Sequence, residues 1–219
     1  MCSMPHIVIS LDGGIGAGKS TLLEEIRKRI PEINVVEEPV NQWTYLVNEH
    51  GENMLELFYA DKKRWGYTFQ TCALLTRQKS MQAMINRLSG SQFILTERSI
   101  LTDKHIFAEM LYRTGDLSLL EWDMYNMLFD TISQQHTVHA IIYLSTNSTT
   151  CKERIALRGR PEEENISLPY LNDLDKQHKT WLEHPGVPVL TLSAEQGSSV
   201  DTAIQKINDF MAELKIMYL

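Results

Sequence analysis

The residues best able to do chemistry stand near the start of the chain, where Gly13-Gly14-Ile15-Gly16-Ala17-Gly18-Lys19-Ser20-Thr21 matches G-x-x-x-x-G-K-[ST] in full. The glycines let the backbone curl until successive N–H groups point into one hollow, and the positive end of a following helix faces the same place. Such a hollow suits a triphosphate. Lys19 then supplies a point charge for the β- and γ-phosphate oxygens, and the Ser20 hydroxyl is placed to complete the shell of a Mg²⁺ ion.

Two further carboxylates close buried runs. Glu38 stands before Pro39 at the end of Ile33–Glu37, and Glu97-Arg98-Ser99 follows Gln92–Thr96. In open α/β sheets ligands gather outside the carboxyl ends of strands, which brings both acids beside the phosphate loop. Glu97 is placed to hold Mg²⁺, and Arg98 to neutralise phosphate charge or keep Glu38 ionised; the plain alternatives are a solvated Glu37–Glu38 pair at a strand end and a surface ion pair of Glu97 with Arg98. A second basic group, Arg154, Arg158 and Arg160, is followed by Glu162, Glu163 and Glu164. Arg154 and Arg158 share a helical face, and Gly159 frees the chain to bring Arg160 to the same side. The three could converge on one target as a lid over about 154–166 that closes on a transferring phosphoryl group, or stand as a solvated helix end of mixed charge with Glu partners. Tyr59, Arg64, Gln70 and Arg77 interleave with core positions, and the last two lie two helical turns apart on one face that could read a base.

The elements that must position these groups alternate in type. β-branched runs at Ile7–Ser10, Ile33–Glu37, Gln92–Thr96, Val138–Leu144 and Val187–Leu192 predict five strands. Helical spacing predicts helices from Leu22 to Ile30, Asn53 to Arg64, Thr68 to Leu88, Asp103 to Arg113, Leu117 to Ser133, Cys151 to Leu157, Ser167 to Leu182 and Val200 to Leu214. The stretch 117–133 carries more apolar surface than one core face needs, and part of it is expected to face a second copy.

With 219 residues and a net charge of −7, the chain reads as one domain whose cations are placed locally for small anions, not for nucleic acid. Cys2, Cys72 and Cys151 have neither pair nor zinc spacing and read as reduced thiols, and His136 and His139 read as structural. The absence of a leader pattern or an apolar spanning run leads us to expect an intracellular, cytosolic protein without membrane contact.

Taken together, Gly13 to Thr21, Glu38-Pro39-Val40 with Trp43, Phe69-Gln70-Thr71, Glu97-Arg98-Ser99 with Asp103 and Ile106-Phe107-Ala108, and Arg154 to Glu163 with Pro169-Tyr170-Leu171 resemble the deoxynucleoside kinase family, of the deoxycytidine and deoxyguanosine kinase type. The resemblance covers nearly the whole chain. It implies a P-loop NTPase α/β fold of three layers, a five-stranded parallel sheet flanked by helices, in a single domain over 1–219 with an arginine-rich lid. It implies ATP as donor with Mg²⁺ on Ser20 and Glu97, a deoxynucleoside as acceptor, and a homodimer.

Residue by residue, the resemblance makes Glu38 the general base for the sugar 5′-hydroxyl, with Arg98 and Lys19 as its catalytic neighbours. Tyr59 and Glu163 would hold the 3′-hydroxyl. Gln70 would pair with the base, packed by Trp43, Phe69 and Phe107. Gly13, Gly14, Gly16, Ala17, Gly18, Lys19, Ser20 and Thr21 would take the nucleotide, with Arg154, Arg158 and Arg160 above it and the loop at Glu195 near its base. Arg77 and Asp103 match positions that are apolar in thymidine-preferring relatives, which implies deoxycytidine or purine deoxynucleosides over thymidine. Relative to vertebrate members the chain lacks an N-terminal extension, and its segment between Trp181 and Val187 is shorter.

Three rivals share parts of this pattern. A thymidylate-kinase-like monophosphate kinase needs cations for its acceptor's phosphate where this chain places Glu38. A non-catalytic nucleotide-binding subunit would be expected to lack Lys19, Glu38 or Arg98. A regulatory GTPase would need Asn-Lys-x-Asp, which does not occur.

Overall fold

Strand β1 (Ile7–Asp12) is buried along its whole length, and its side chains divide by the two-residue period of a strand. Ile7, Ile9 and Leu11 pack with Leu23 and Ile26 of α1 (Lys19–Arg29) on one face, whereas Val8 packs with Met81 on the other. A strand covered on both sides must be apolar throughout, which is why IVISL reads as a continuous run. Truncating Ile9, fully buried, to Ala costs about 2–5 kcal/mol on these grounds.

A computed structural model describes residues 6–90, 92–135 and 137–218. After β1 and α1 come β2 (Ile33–Val36), α2 (Val40–Tyr45), α3 (Met54–Ala60), α4 (Lys62–Ile85) and β3 (Phe93–Glu97). The helix α5 (Ile100–Thr102) continues through a π-helical stretch, Asp103–Ala108, into α6 (Glu109–Thr114), and α7 (Leu119–Ser133) follows. The chain closes with β4 (Ala140–Ser145), α8 (Ser148–Arg158), a 3₁₀ turn at Pro161–Glu163, α9 (Leu168–Leu182), β5 (Val189–Ser193) and α10 (Val200–Tyr218). The five strands form one parallel sheet in the order β2-β3-β1-β4-β5. β1 and β3 are neighbours in register, Leu11 facing Glu97, so the phosphate loop and the second acid leave the sheet side by side.

Several predicted boundaries move. The helix expected over Asn53 to Arg64 is broken at Asp61, whose backbone leaves the helical region and whose carboxylate accepts from the Arg64 N–H at 3.0 Å to start α4. Arg64 is therefore exposed and stacks over Trp65, away from any base-reading face. The helix expected from Asp103 contains the π-helical stretch, and α2 was not expected at all. His139 accepts from the Val8 N–H at 3.1 Å, a structural role as read; His136 and Cys2 lie outside the described residues. Among the described residues no helix is long and apolar enough to cross a membrane.

Candidate active site

The strand ends and the loops beyond them enclose a cleft of about 880 Å³, and the expected catalytic, nucleotide-binding, substrate-binding and metal residues line it apart from Gly13 and Gly14, whereas Arg64 does not. At its floor is the phosphate loop. Gly16 has φ 79°, and a Cβ there would stand 2.5 Å from the Cys151 carbonyl oxygen; one on Gly13 would stand 2.7 Å from that of Leu144. Only glycine fits positions pressed this closely onto β4 and α8. Lys19, buried, turns its ammonium back onto the Gly13 and Gly14 carbonyls at 3.1 and 2.8 Å. Burial and the neighbouring Arg98 lower its pKa to about 8, against the pull of Glu97 and Glu38.

Beside the loop, Glu38 is clamped by two guanidiniums. Arg98 Nη1 donates to Oε1 at 2.7 Å and to Oε2 at 2.9 Å, and Arg77 Nη2 donates to Oε1 at 3.2 Å. Burial alone would raise this carboxyl, but Arg98, then Arg77 and Lys19, outweigh it and hold the pKa at about 2 rather than 4.5. Arg77 also grips Asp103 at 2.9 and 3.2 Å and donates to the Glu97 carbonyl at 2.7 Å. The expected Arg77–Asp103 pair is present; the arm from Arg77 to Glu38 was not anticipated.

Farther in, Gln70 is buried, and neither its amide oxygen nor its nitrogen has a hydrogen-bond partner among the described residues. Trp43 and Phe69 meet edge to face at 5.1 Å, and Phe69 stacks on Phe58 at 4.4 Å. Phe107 lies under the Arg98 guanidinium at 5.0 Å. Phe58, Leu55 and Ala73 complete this wall and were not singled out from the sequence, because apolar residues at helical spacing carry no sign of a cleft. The Tyr59 hydroxyl is raised well above 10 by burial, with Tyr170 and Glu163 adding to it, and stays a neutral donor.

The three lid arginines occupy two stations and do not converge on one point. Arg154 spans the Ala17 carbonyl at 3.1 Å and the Ala194 carbonyl at 2.7 Å, fastening the phosphate loop to the loop after β5. Arg158 and Arg160 both pair with Glu163, because the 3₁₀ turn at Pro161 folds that acid back beneath them. Glu195 accepts from the Asn147 N–H and from the Thr150 hydroxyl, 3.1 Å away, so its carboxylate is spent on the start of α8.

Ser20 Oγ and the Glu97 carboxylate oxygens lie 3.3 and 3.4 Å apart at the mouth of the loop. One hydroxyl and one carboxylate fit Mg²⁺, which binds through few protein oxygens and keeps phosphate and water as its other ligands. Among the described residues no group of three or more His, Cys, Asp or Glu is placed to hold a metal ion.

Across the cleft a phosphate loop faces a doubly clamped carboxylate and an unpartnered amide. The model of a family described as deoxynucleoside kinase matches residues 9–218. The chain belongs to the deoxynucleoside kinase family. A probable deoxycytidine kinase of fowlpox virus is 36% identical over 230 residues, covering 98% of this chain and 93% of that protein. Human deoxycytidine kinase is 32% identical, covering 94% of this chain and 91% of its own. A mitochondrial deoxyguanosine kinase of Xenopus laevis is 31% identical, covering 86% and 81% respectively. Membership in this kinase family makes the chain a phosphotransferase, and its five-stranded parallel sheet flanked by helices is the expected fold.

Proposed function

We propose that the chain transfers the γ-phosphoryl group of ATP to the 5′-hydroxyl of a deoxynucleoside, accepting deoxycytidine or purine deoxynucleosides in preference to thymidine. The observation that carries this reading is the Glu38 clamp. A carboxylate offers about four lone-pair directions. Arg98 uses one on each oxygen and Arg77 uses the second on Oε1, leaving one open direction on Oε2. A sugar hydroxyl donating there is aligned by Glu38 and stands beside the phosphate loop, whereas an acceptor that already carries a phosphate would meet a negative charge.

In this reading Gln70 hydrogen-bonds the base edge, Arg77 and Asp103 crowd out the thymine 5-methyl group, and Trp43, Phe69 and Phe107 pack the base and sugar. Tyr59 and Glu163 hold the 3′-hydroxyl, for which Glu163 exchanges part of its present pairing with Arg158 and Arg160. Those arginines are then released toward the phosphates. Ser20 and Glu97 would hold Mg²⁺, which would supply positive charge against the phosphates. Glu38 accepts the 5′-hydroxyl proton, and Arg98 and Lys19 stabilise the charge spread over the transferring group.

We also read the protein as a cytosolic homodimer that pairs α7. That helix leaves Leu119, Leu120, Met124 and Met127 exposed by 63, 70, 48 and 71%. Sedimentation of the wild type against Leu120→Glu/Met127→Glu tests the pairing, which fails if both sediment alike. Activity is tested by ATP consumption with Mg²⁺ on deoxycytidine, deoxyadenosine, deoxyguanosine and thymidine, with thymidine monophosphate as control. Turnover on the first three above thymidine supports the reading; turnover on the monophosphate alone overturns it.

A further inference from the structure

Among the described residues Arg98 is the only one other than glycine with a positive φ, 58°. A left-handed backbone is unfavourable for a residue with a long side chain and persists only where its surroundings over-determine it. Four hydrogen bonds do so here. The Arg98 N–H donates to the Leu11 carbonyl at 3.0 Å, and the Arg98 carbonyl accepts the Thr96 hydroxyl at 2.8 Å. The next N–H, of Ser99, donates to Thr102 Oγ1 at 3.1 Å, and the Thr102 hydroxyl donates to the Asp12 carboxylate.

The proton count makes this a relay. A hydroxyl has one proton; Thr102 Oγ1 receives one from Ser99 and gives its own to Asp12, which as a carboxylate only accepts. Asp12 and Thr102 are both 0% exposed. Buried carboxylates are ordinarily paired with a cation, yet the direct partner of Asp12 is a hydroxyl. Its position explains the choice: Asp12 is the last residue of β1, and the next carbonyl, of Gly13, receives Arg98 Nη2 at 3.3 Å. The same corner of β1 therefore ties Arg98 twice, its backbone turn through Asp12 and Thr102 and its guanidinium through Gly13.

We propose that Asp12 and Thr102 are positioning residues that hold Arg98 in its left-handed turn and so aim its guanidinium at Glu38. Neither touches the cleft, and both act through Arg98. With an ordinary negative φ, Arg98 would swing its side chain out of the Glu38 clamp.

The test is a double-mutant cycle in kcat, which builds on the kinase reading above. Thr102→Val keeps the shape and removes both hydrogen bonds; it lowers kcat about tenfold or more, while Thr102→Ser stays within about threefold of wild type. In an Arg98→Ala background the same Thr102→Val change costs less than about twofold, because the group it positions is gone. An equal loss in both backgrounds makes Thr102 a merely structural residue and overturns the proposal. If Thr102→Val fails to fold, Asp12→Asn enters the same cycle. A crystal structure of the variant decides independently of turnover: Arg98 leaves the left-handed region and Glu38 on the proposal, whereas an unchanged Arg98 refutes it. A wild-type chain inert toward deoxynucleosides would refute the kinase reading and leave that crystallographic result standing.

Discussion

Arg98 meets both carboxylate oxygens of Glu38 through a single nitrogen, Nη1, at 2.7 and 2.9 Å. A fork-to-fork pair would spend two nitrogens on this task. Using one leaves Nη2 for the Gly13 carbonyl, so the same guanidinium joins the acid to the phosphate loop. Glu38 and the phosphate loop thus share one buried cation.

Glu38→Gln should therefore separate chemistry from binding. The amide preserves shape and can still accept from Arg98, but takes up no proton; kcat is expected to fall about 10²–10⁴-fold, with the nucleoside dissociation constant within about threefold. Steady-state kinetics and calorimetric titration check this. A loss of affinity with kcat retained would make Glu38 a binding group only. The pH sign follows from its depressed pKa, about 2 against 4.5. The stabilisation by the clamp is complete above the unfolded value and is lost as pH falls from about 4.5 toward 2. Thermal melts should accordingly weaken across that window, and less so in Glu38→Gln.

Gln70 pays for function with stability. Both polar atoms of its amide are buried without partners among the described residues, which costs a fold about 1–3 kcal/mol. Gln70→Leu should raise the melting temperature of the ligand-free protein by about 2–4 °C, and weaken deoxycytidine binding by about tenfold or more. A melt and a binding isotherm on the same variant read both effects. A lowered melting point would show that Gln70 already has a structural partner.

Much of this was legible in the sequence because local chemistry dictates it. The phosphate loop is written in consecutive residues, and β-branched runs mark all five strands, most plainly β1, β3 and β4, which are buried along nearly their whole length. What escaped is held by distant partners. The break at Asp61 leaves no mark in the spacing, since Leu57, Phe58, Trp65 and Phe69 keep a helical period across it. The π-helical stretch Asp103–Ala108 uses ordinary helix formers, and its His105 carbonyl is satisfied by Gln177 Nε2 at 2.8 Å, 72 residues away. The pairing of Arg158 and Arg160 with Glu163 was hidden for another reason: the same residues read equally well as an open lid, and only the fold of the 3₁₀ turn decides between them.

Arg77 and Asp103 are buried together, and removing one charge is expected to hurt more than removing both. Arg77→Met leaves Asp103 uncompensated and the Glu97 carbonyl without its donor, at about 3–5 kcal/mol. Arg77→Met/Asp103→Leu should recover about half of that loss or more by replacing the pair with apolar volume. Denaturant melts of the three proteins check the order. In the double variant, the ratio of kcat/KM for deoxycytidine to that for thymidine should also fall, since the pair that favours one base is gone. If the single variant is as stable as the double, the pair is screened by water and cannot be a strong base reader.

Lys19 titrates near neutrality in the ligand-free protein, and that has a measurable consequence for nucleotide binding. Burial and Arg98 hold its pKa at about 8, against an ordinary 10.5. Triphosphate oxygens against the ammonium restore the charged form, so ATP binding at pH 8 should take up about half a proton, falling toward zero near pH 6.5. Calorimetric titrations in two buffers of different ionisation enthalpy give the number directly. Lys19→Arg, charged throughout, should bind ATP without the uptake. The same depressed pKa means that between pH 8 and 10.5 the unfolded chain holds the proton the native one has lost, so this residue adds stability as pH rises through that window. An uptake that persists undiminished in Lys19→Arg would assign the proton to another group.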